Sequence, residues 1–348
     1  MRAVSFDDKH VFIEMGNERR RGTVMRILVV GAGAVGGYFG GRLLEAGCNV
    51  TFLVRPKRAA QLAKTGLVIK SRFGDVTLKA PPTIQASELH PDFDLILLSC
   101  KAYDLAAAVD SFTTAVGPDT VILPLLNGMR HLDLLDERFG AARVLGGQCL
   151  ISAKLDDRGS ILHLNDSHLL TFGEREGNRS PRIDGIAAEM GKARFELRAS
   201  SVILLEMWEK WVFLATLAGI TCLMRGTIGD IAAAGGAHLA VDLLEECRSI
   251  AASAGFTPRA EFLEQTRGII TAPGSLLSAS MLRDIDDGAP IEADHIIGDL
   301  VRRGNRVLSA DSSLLRLAYM HLKAYESRRN REKAATEVAG GVTRPPKG

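Results

Sequence analysis

The sequence is short of charge imbalance, of cysteine pairs and of long apolar runs, and each shortage removes a class of function. Its 43 Lys+Arg stand against 41 Asp+Glu, a net charge of +2 over 348 residues. That balance leaves no electrostatic footprint for nucleic acid or an anionic membrane, and the few aromatics (5%) form no stripe interleaved with basic residues. The five cysteines, Cys48, Cys100, Cys149, Cys222 and Cys247, are an odd number with no CxxC pair. Each sits in an apolar setting that suits a reduced, core-filling thiol, so no metal site is expected and a cytoplasmic location is. The longest strongly apolar run, Trp211 to Met224, has fourteen residues, short of the roughly 20 that cross a bilayer. Residues 1–24 carry Asp7, Asp8, Glu14 and Glu18 and no long apolar segment, which fits neither a secretory signal nor a transit peptide. They read as an extension ahead of a natural start at Met25.

What is present is enough chain for two domains, since single cores stop growing beyond roughly 250 to 300 residues. Residues 26–30, RILVV, predict a strand; glycines follow at once, and then YFGGRLLEAG with apolar positions at helical spacing. NVTFLV (49–54), LVIKS, VTLKA, DLILLS (94–99), VILPLL (121–126), VLGGQCLIS, ILHL and HLLTFG predict further strands, with helices through KRAAQLAK and near 102–114. Alternating strands and helices predict a parallel sheet covered on both faces, an α/β dinucleotide-binding (Rossmann-type) domain over 25–200. Beyond it, helical patterns at 202–224, 237–254, 259–270, 276–286, 290–304 and 311–327 predict an all-helical C-terminal domain over 201–328. The polar stretch 329–348 is expected to be disordered.

The segment VVGAGAVGGYFG sets Gly31, Gly33 and Gly36 in G-x-G-x-x-G spacing directly after a strand and at the opening of a helix. The first glycine permits a tight turn, the second lets backbone approach a pyrophosphate, and the third lets helix pack on strand. The N–H groups of the first helical residues, Ala34 and Val35, then face the phosphates. The second strand ends not in the acid that usually takes an unsubstituted ribose but in Val54-Arg55, with Lys57 and Arg58 behind. A guanidinium there suits a 2′-phosphate, so NADP(H) is the expected cofactor.

Three further stretches place polar groups at the carboxyl edge where such sheets bind ligands. SCKAYD ends a strand with Lys101, LLNGM ends the next with Asn127-Gly128, and MWEK puts Lys210 at the mouth of the apolar run. Ser280 precedes Glu292 by twelve residues, the latter expected in the first turn of a helix begun at Pro290. With GAGAVG, the strand-end arginine and this S-M…E pair, the chain from Met25 to about residue 328 resembles the ketopantoate reductase (2-dehydropantoate 2-reductase) family. The resemblance implies NADPH-dependent reduction of ketopantoate to pantoate in pantothenate biosynthesis, in a cleft between the two domains. It implies Lys210 as catalytic acid, Ser280 and Glu292 at substrate and cofactor, and Lys101 and Asn127 beside the nicotinamide. Family members are often dimers, so a homodimer stays open.

The chemistry agrees. Hydride arriving at a 2-oxo acid's carbonyl carbon leaves charge on the oxygen, which needs a proton donor within hydrogen-bond reach. A lysine partly buried against Trp208 and Trp211 would have a lowered pKa, with Glu292 holding the ammonium or contacting the sugar or substrate hydroxyls. One departure stands out: the family usually carries asparagines four and eight residues after the lysine, and this chain has Leu214 and Ala218. Farther along that face Arg225 lies about 22 Å from Lys210, too far to compensate. Two alternatives therefore remain at this stage: a related reductase of a less polar 2-oxo acid or imine, and an inactive dinucleotide sensor, which would have no use for a proton donor.

Overall fold

The computed structural model describes residues 24–309 and 312–340. The expected N-terminal extension, apart from Val24, and residues 341–348 lie outside the described residues. In chain order the strands are β1 (Arg26–Val30), β2 (Asn49–Leu53), β3 (Leu67–Lys70), β4 (Val76–Leu78), β5 (Thr83–Ile84), β6 (Leu95–Leu98), β7 (Val121–Pro124), β8 (Gly146–Leu150), β9 (Ala153–Leu155), β10 (Ile161–His163), β11 (Leu169–Gly173) and β12 (Glu196–Ala199). The helices are α1 (Ala34–Glu45), α2 (Pro56–Thr65), α3 (Leu105–Phe112), α4 (Arg130–Phe139), α5 (Pro181–Met190), α6 (Ile203–Met224), α7 (Ile228–Ala233), α8 (Ala237–Ser253), α9 (Ala260–Ile270), α10 (Ser280–Asp286), α11 (Asp299–Arg303) and α12 (Leu314–Gly340).

A five-stranded sheet of order β5-β2-β1-β6-β7 is parallel throughout, and it reverses direction of growth at β1, where a doubly wound sheet opens its ligand crevice. The later strands do not extend it, as the alternating pattern had suggested. β8 and β12 flank β11, antiparallel and parallel to it respectively, and β10 joins β3, β4 and β9. A short apolar run specifies a strand but not the strand it pairs with.

The period of two along the central strands sorts side chains onto two cores. Leu28, Val30, Ile96 and Leu98 belong to a cluster that continues through Trp208, Trp211 and Ile296 of the helical part. Ile27, Val29, Leu95 and Leu97 pack on the other face with Tyr38 and Phe39 of α1. The helical part therefore shares one core with a face of the sheet.

Three helical expectations are corrected. The helix expected over 276–286 begins only at Ser280, because the carbonyls of Ser275 and Leu277 accept from Gly229 and Ile228 at the start of α7, at 2.8 and 2.9 Å. The helix expected from Pro290 begins at Ala293 as a π-helical turn, Asp294–Gly298, leading into α11; Glu292 stands just before it. Residues 329–340, expected to be disordered, continue α12. Their Ala, Arg, Glu and Lys are strong helix formers, and Arg328 pairs with Glu332 one turn on, so polarity alone misjudged them. Helices α4, α5 and α7 were not among the expectations.

Candidate active site

The phosphate loop is built as its spacing requires. After β1 the chain turns at Gly31 with φ +91°, and its N–H is satisfied by Leu53 O at 3.0 Å on β2. α1 opens at Ala34 with Gly33 as its cap, without a side-chain cap and without an acid in its first turn. A methyl group added at Gly31 or Gly33 would project into open space, whereas one at Gly36 would overlap the Ser99 hydroxyl and the Gly31 carbonyl. The first two glycines thus leave a bare cradle at a helix N-terminus, and the third allows helix, turn and β6 to close together. Both features fit a dinucleotide's pyrophosphate. Beyond β2, Arg55 caps α2 and is exposed, while Arg58 turns back to donate to Ala32 O (3.0 Å) and Gly159 O (3.1 Å).

At the neighbouring strand ends, residues from both halves of the chain meet. Glu292 accepts a hydrogen bond from the Ala102 N–H at 2.9 Å, and its other oxygen lies 3.4 Å from Lys101 Nζ. Asp284, one helical turn after Ser280 on α10, lies 3.4 Å from the same ammonium. Burial works to lower the Lys101 pKa, but Glu292 and Asp284 together outweigh it and the net shift is upward. Lys101 is therefore an ammonium clamped between two carboxylates. The contribution of such a half-exposed pair to stability is small; its consequence is placement.

Lys210 is placed differently from the expectation. Its Nζ donates to the backbone carbonyl of Cys149 on β8 at 2.6 Å, and Glu292 is engaged elsewhere. The adjacent Glu209 is turned away to Arg259, whose backbone N–H it accepts at 2.9 Å. Of the flanking tryptophans, Trp211 donates to Ile296 O at 2.9 Å and Trp208 stacks on Phe256, so both serve the core. Burial lowers the Lys210 pKa below its ordinary 10.5. Desolvation of a charge with only a carbonyl for a partner is the cause.

Asn127 and Gly128 close the loop after β7 onto His295 of the π-helical turn. Gly128 has φ +76°, and a Cβ there would come within 3.0 Å of the His295 ring. His131, in the first turn of α4, is fully buried and stacks on His295 with ring centroids 5.7 Å apart. Burial depresses both imidazole pKa values, and for His131 the His295 ring and the Lys210 charge push further the same way. Ser280 is exposed at the start of α10, whose preceding residue, Ala279, meets Thr221 Oγ1 of α6 at 3.4 Å.

The structure thus gathers Lys101, Glu292 and the α10 turn of Ser280 on one side, and ties Lys210 to the Asn127 loop through Cys149, whose thiol meets Leu125 O at 3.8 Å. Asp284, His131, His295 and the Cys149 carbonyl were missed. Only Asp284 had a legible signal, its i+4 spacing from Ser280. Arg225 caps α6 and pairs with Asp286, away from Lys210. Among the described residues no cluster of three metal-ligating side chains occurs, and no helix is long and apolar enough to cross a membrane.

Two family models match the chain, "Ketopantoate reductase PanE/ApbA" over residues 27–177 and "Ketopantoate reductase PanE/ApbA C terminal" over 202–326. An uncharacterized oxidoreductase of Bacillus subtilis (strain 168), YkpB, is 39% identical over 304 residues, 87% of this chain and 99% of that protein. The crystal structure of 2-dehydropantoate 2-reductase from Methylococcus capsulatus is similar at TM-score 0.77 and 27% identity, over 88% of this chain and 98% of that one. D-mandelate dehydrogenase in ternary complex with NADH and anilino(oxo)acetate shares the fold at TM-score 0.78 and 20% identity, over 88% of this chain and all of the other (100%). With both models matched in order across the sheet and the helices, the chain belongs to the ketopantoate reductase family, whose members are oxidoreductases acting on CH–OH groups with a nicotinamide cofactor.

Proposed function

We propose that the chain reduces a 2-oxo acid of the ketopantoate kind to its 2-hydroxy acid, drawing on NADPH bound by residues 25–200, with the oxo acid held against the helical residues 201–328. The observation that carries this reading is the Lys210 ammonium, desolvated, without a carboxylate partner, and held by one backbone carbonyl.

NADPH, when bound, supplies the hydride that forms the new C–H bond. Lys210 supplies the other half: as the carbonyl π electrons move onto oxygen, Nζ gives that oxygen its proton and is left as a neutral amine. Its hydrogen bond to Cys149 O fixes the Nζ position, and burial makes the proton easier to release than from a lysine in water. Ser280 offers a hydroxyl to the substrate carboxylate, Asn127 an amide beside the reacting carbon, and Glu292 with Lys101 a fixed edge for the nicotinamide ribose. The bare N–H groups at Gly33, Ala34 and Val35 receive the pyrophosphate, and Arg55 the 2′-phosphate.

A second reading, a less polar 2-oxo acid, is favoured by Leu214, half-buried one turn from Lys210, and Ala218, buried one turn farther. Both are tested by following NADPH consumption with ketopantoate beside a panel of apolar 2-oxo acids, with NADH as the second cofactor. Turnover lost in Lys210→Ala with NADPH binding retained supports the assignment of the acid; unchanged turnover overturns it.

A further inference from the structure

The proposed 2′-phosphate ligand, Arg55, is not free. Its guanidinium forms an ion pair with Asp104 at 3.0 Å, across the gap between the end of β2 and the loop that follows β6. These two strand ends flank β1, the strand that carries the phosphate loop, so the pair bridges the crevice in which the adenosine half of a dinucleotide lies. Arg58 is turned back toward the sheet, its Nε and one terminal nitrogen donating to Ala32 O, Gln61 and Gly159 O and its other terminal nitrogen buried without a partner, so the exposed guanidinium at the end of β2 is that of Arg55. The pair is local to the cofactor end: Asp104 terminates the short helical turn Ala102–Asp104 that begins right after Lys101.

From this juxtaposition we infer that Asp104 is a cofactor-selectivity residue, which competes with a 2′-phosphate for Arg55 and offers an unsubstituted ribose the carboxylate it needs. The inference rests on the dinucleotide reading above and refines it. A phosphate monoester brings a charge near −2, which Arg55 alone would match in a bidentate fork. Beside Asp104 the charge of Arg55 is already balanced, and the phosphate must displace a like charge to reach the guanidinium. A ribose diol meets the opposite situation: its hydroxyls find an acceptor in Asp104, the role an acid at the end of the second strand usually fills. Here that acid comes from the neighbouring strand's loop, and both devices occupy one subsite. The consequence is an enzyme that binds NADH as well as NADPH, with the gap between them narrowed by Asp104.

The test is calorimetric titration of the full-length protein with NADPH and with NADH. Asp104→Asn and Asp104→Ala should each tighten NADPH and weaken or leave NADH, raising the ratio Kd(NADH)/Kd(NADPH) by about tenfold, equivalent to ~1.4 kcal/mol. The Ala variant separates loss of the carboxylate from the new amide donor of Asn. Arg55→Ala should collapse the ratio toward unity. An unchanged ratio in both Asp104 variants, with both cofactors still bound, overturns the inference and leaves the dinucleotide reading standing. Failure of the wild-type protein to bind either cofactor overturns both.

Discussion

The Nζ of Lys210 sits 2.6 Å from the carbonyl oxygen of Cys149, while the carboxylate next to it in sequence, Glu209, is spent on Arg259. An ammonium held this way keeps its position without a counter-charge that would raise its pKa. Its proton is thus released at lower pH than from an ordinary lysine. The rate of 2-oxo acid reduction should fall as pH rises through an apparent pKa below 10.5, and oxidation of the hydroxy acid should rise across the same interval. A pH–rate profile measures it, and a limb at or above 10.5 would count against Lys210 as the acid. Lys210→Ala should lower kcat by roughly 10² to 10⁴.

The phosphate loop separates two effects that a glycine can have. Gly33→Ala places its methyl in open space at an ordinary backbone conformation, so thermal stability should change by less than about 1 kcal/mol while dinucleotide affinity drops at least tenfold. Gly36→Ala must push apart Ser99 and the Gly31 carbonyl and should cost about 1–3 kcal/mol of stability, or more, before any cofactor is added. Melting curves and cofactor titrations on the two variants would show the contrast; equal behaviour would defeat it.

How much of this was legible follows from what each feature depends on. The three glycines, Lys101 and Asn127 sit in local patterns of strand end, turn and helix start, and Lys210 stands inside α6 just ahead of its long uncharged run; the sequence exposes those patterns. Helix α5 was equally available and passed over: Ser180 caps it by accepting from Ile183 N, with Pro181 at its first position, the usual start signal. The partners were not legible. Glu292 meets Lys101 across 191 positions, and Lys210 is held by a backbone atom, which has no residue type to recognise. The sheet that β8 joins depends on packing after collapse, and its strand pattern alone favoured the wrong neighbours.

Glu292 distinguishes charge from hydrogen bonding. Glu292→Gln retains an acceptor for the Ala102 N–H and removes only the charge facing Lys101, whereas Glu292→Ala removes both. The Gln variant should keep near-native stability with a raised KM for the cofactor, and the Ala variant should lose a further ~1–3 kcal/mol from the stranded amide and clamp. Identical melting temperatures for the two would show that the Ala102 contact contributes nothing.

Leu214 lies on the Lys210 face of α6, half-buried, one turn away. Leu214→Asn puts an amide in place of an apolar side chain one turn from the proposed proton donor. If that position sets substrate choice, kcat/KM for ketopantoate relative to an apolar 2-oxo acid should rise by roughly tenfold, since a matched hydrogen bond discriminates more strongly than a methylene does. A ratio that does not move would place substrate selection elsewhere in the cleft.

The buried histidine pair fixes the acid side of the stability profile. His131 and His295 stack at 5.7 Å, and burial holds both below the ordinary 6.5. The cations Lys210, Arg175 and Arg303 push His131 down further, while Glu292 and Asp299 partly offset the shift at His295. In the unfolded chain both imidazoles take up protons near pH 6.5; in the folded protein they do so only at lower pH. Their contribution to stability is therefore complete above 6.5 and is lost progressively as pH falls below it, at up to about 1.4 kcal/mol per pH unit for each ring. His131→Phe preserves an aromatic partner for His295 and removes one titrating group, so between pH 6.5 and 5 its melting temperature should fall less steeply than that of the wild type. Equal slopes would mean that His131 takes up its proton in the folded state as readily as in the unfolded one, and the pair would then have to be read as accessible to water.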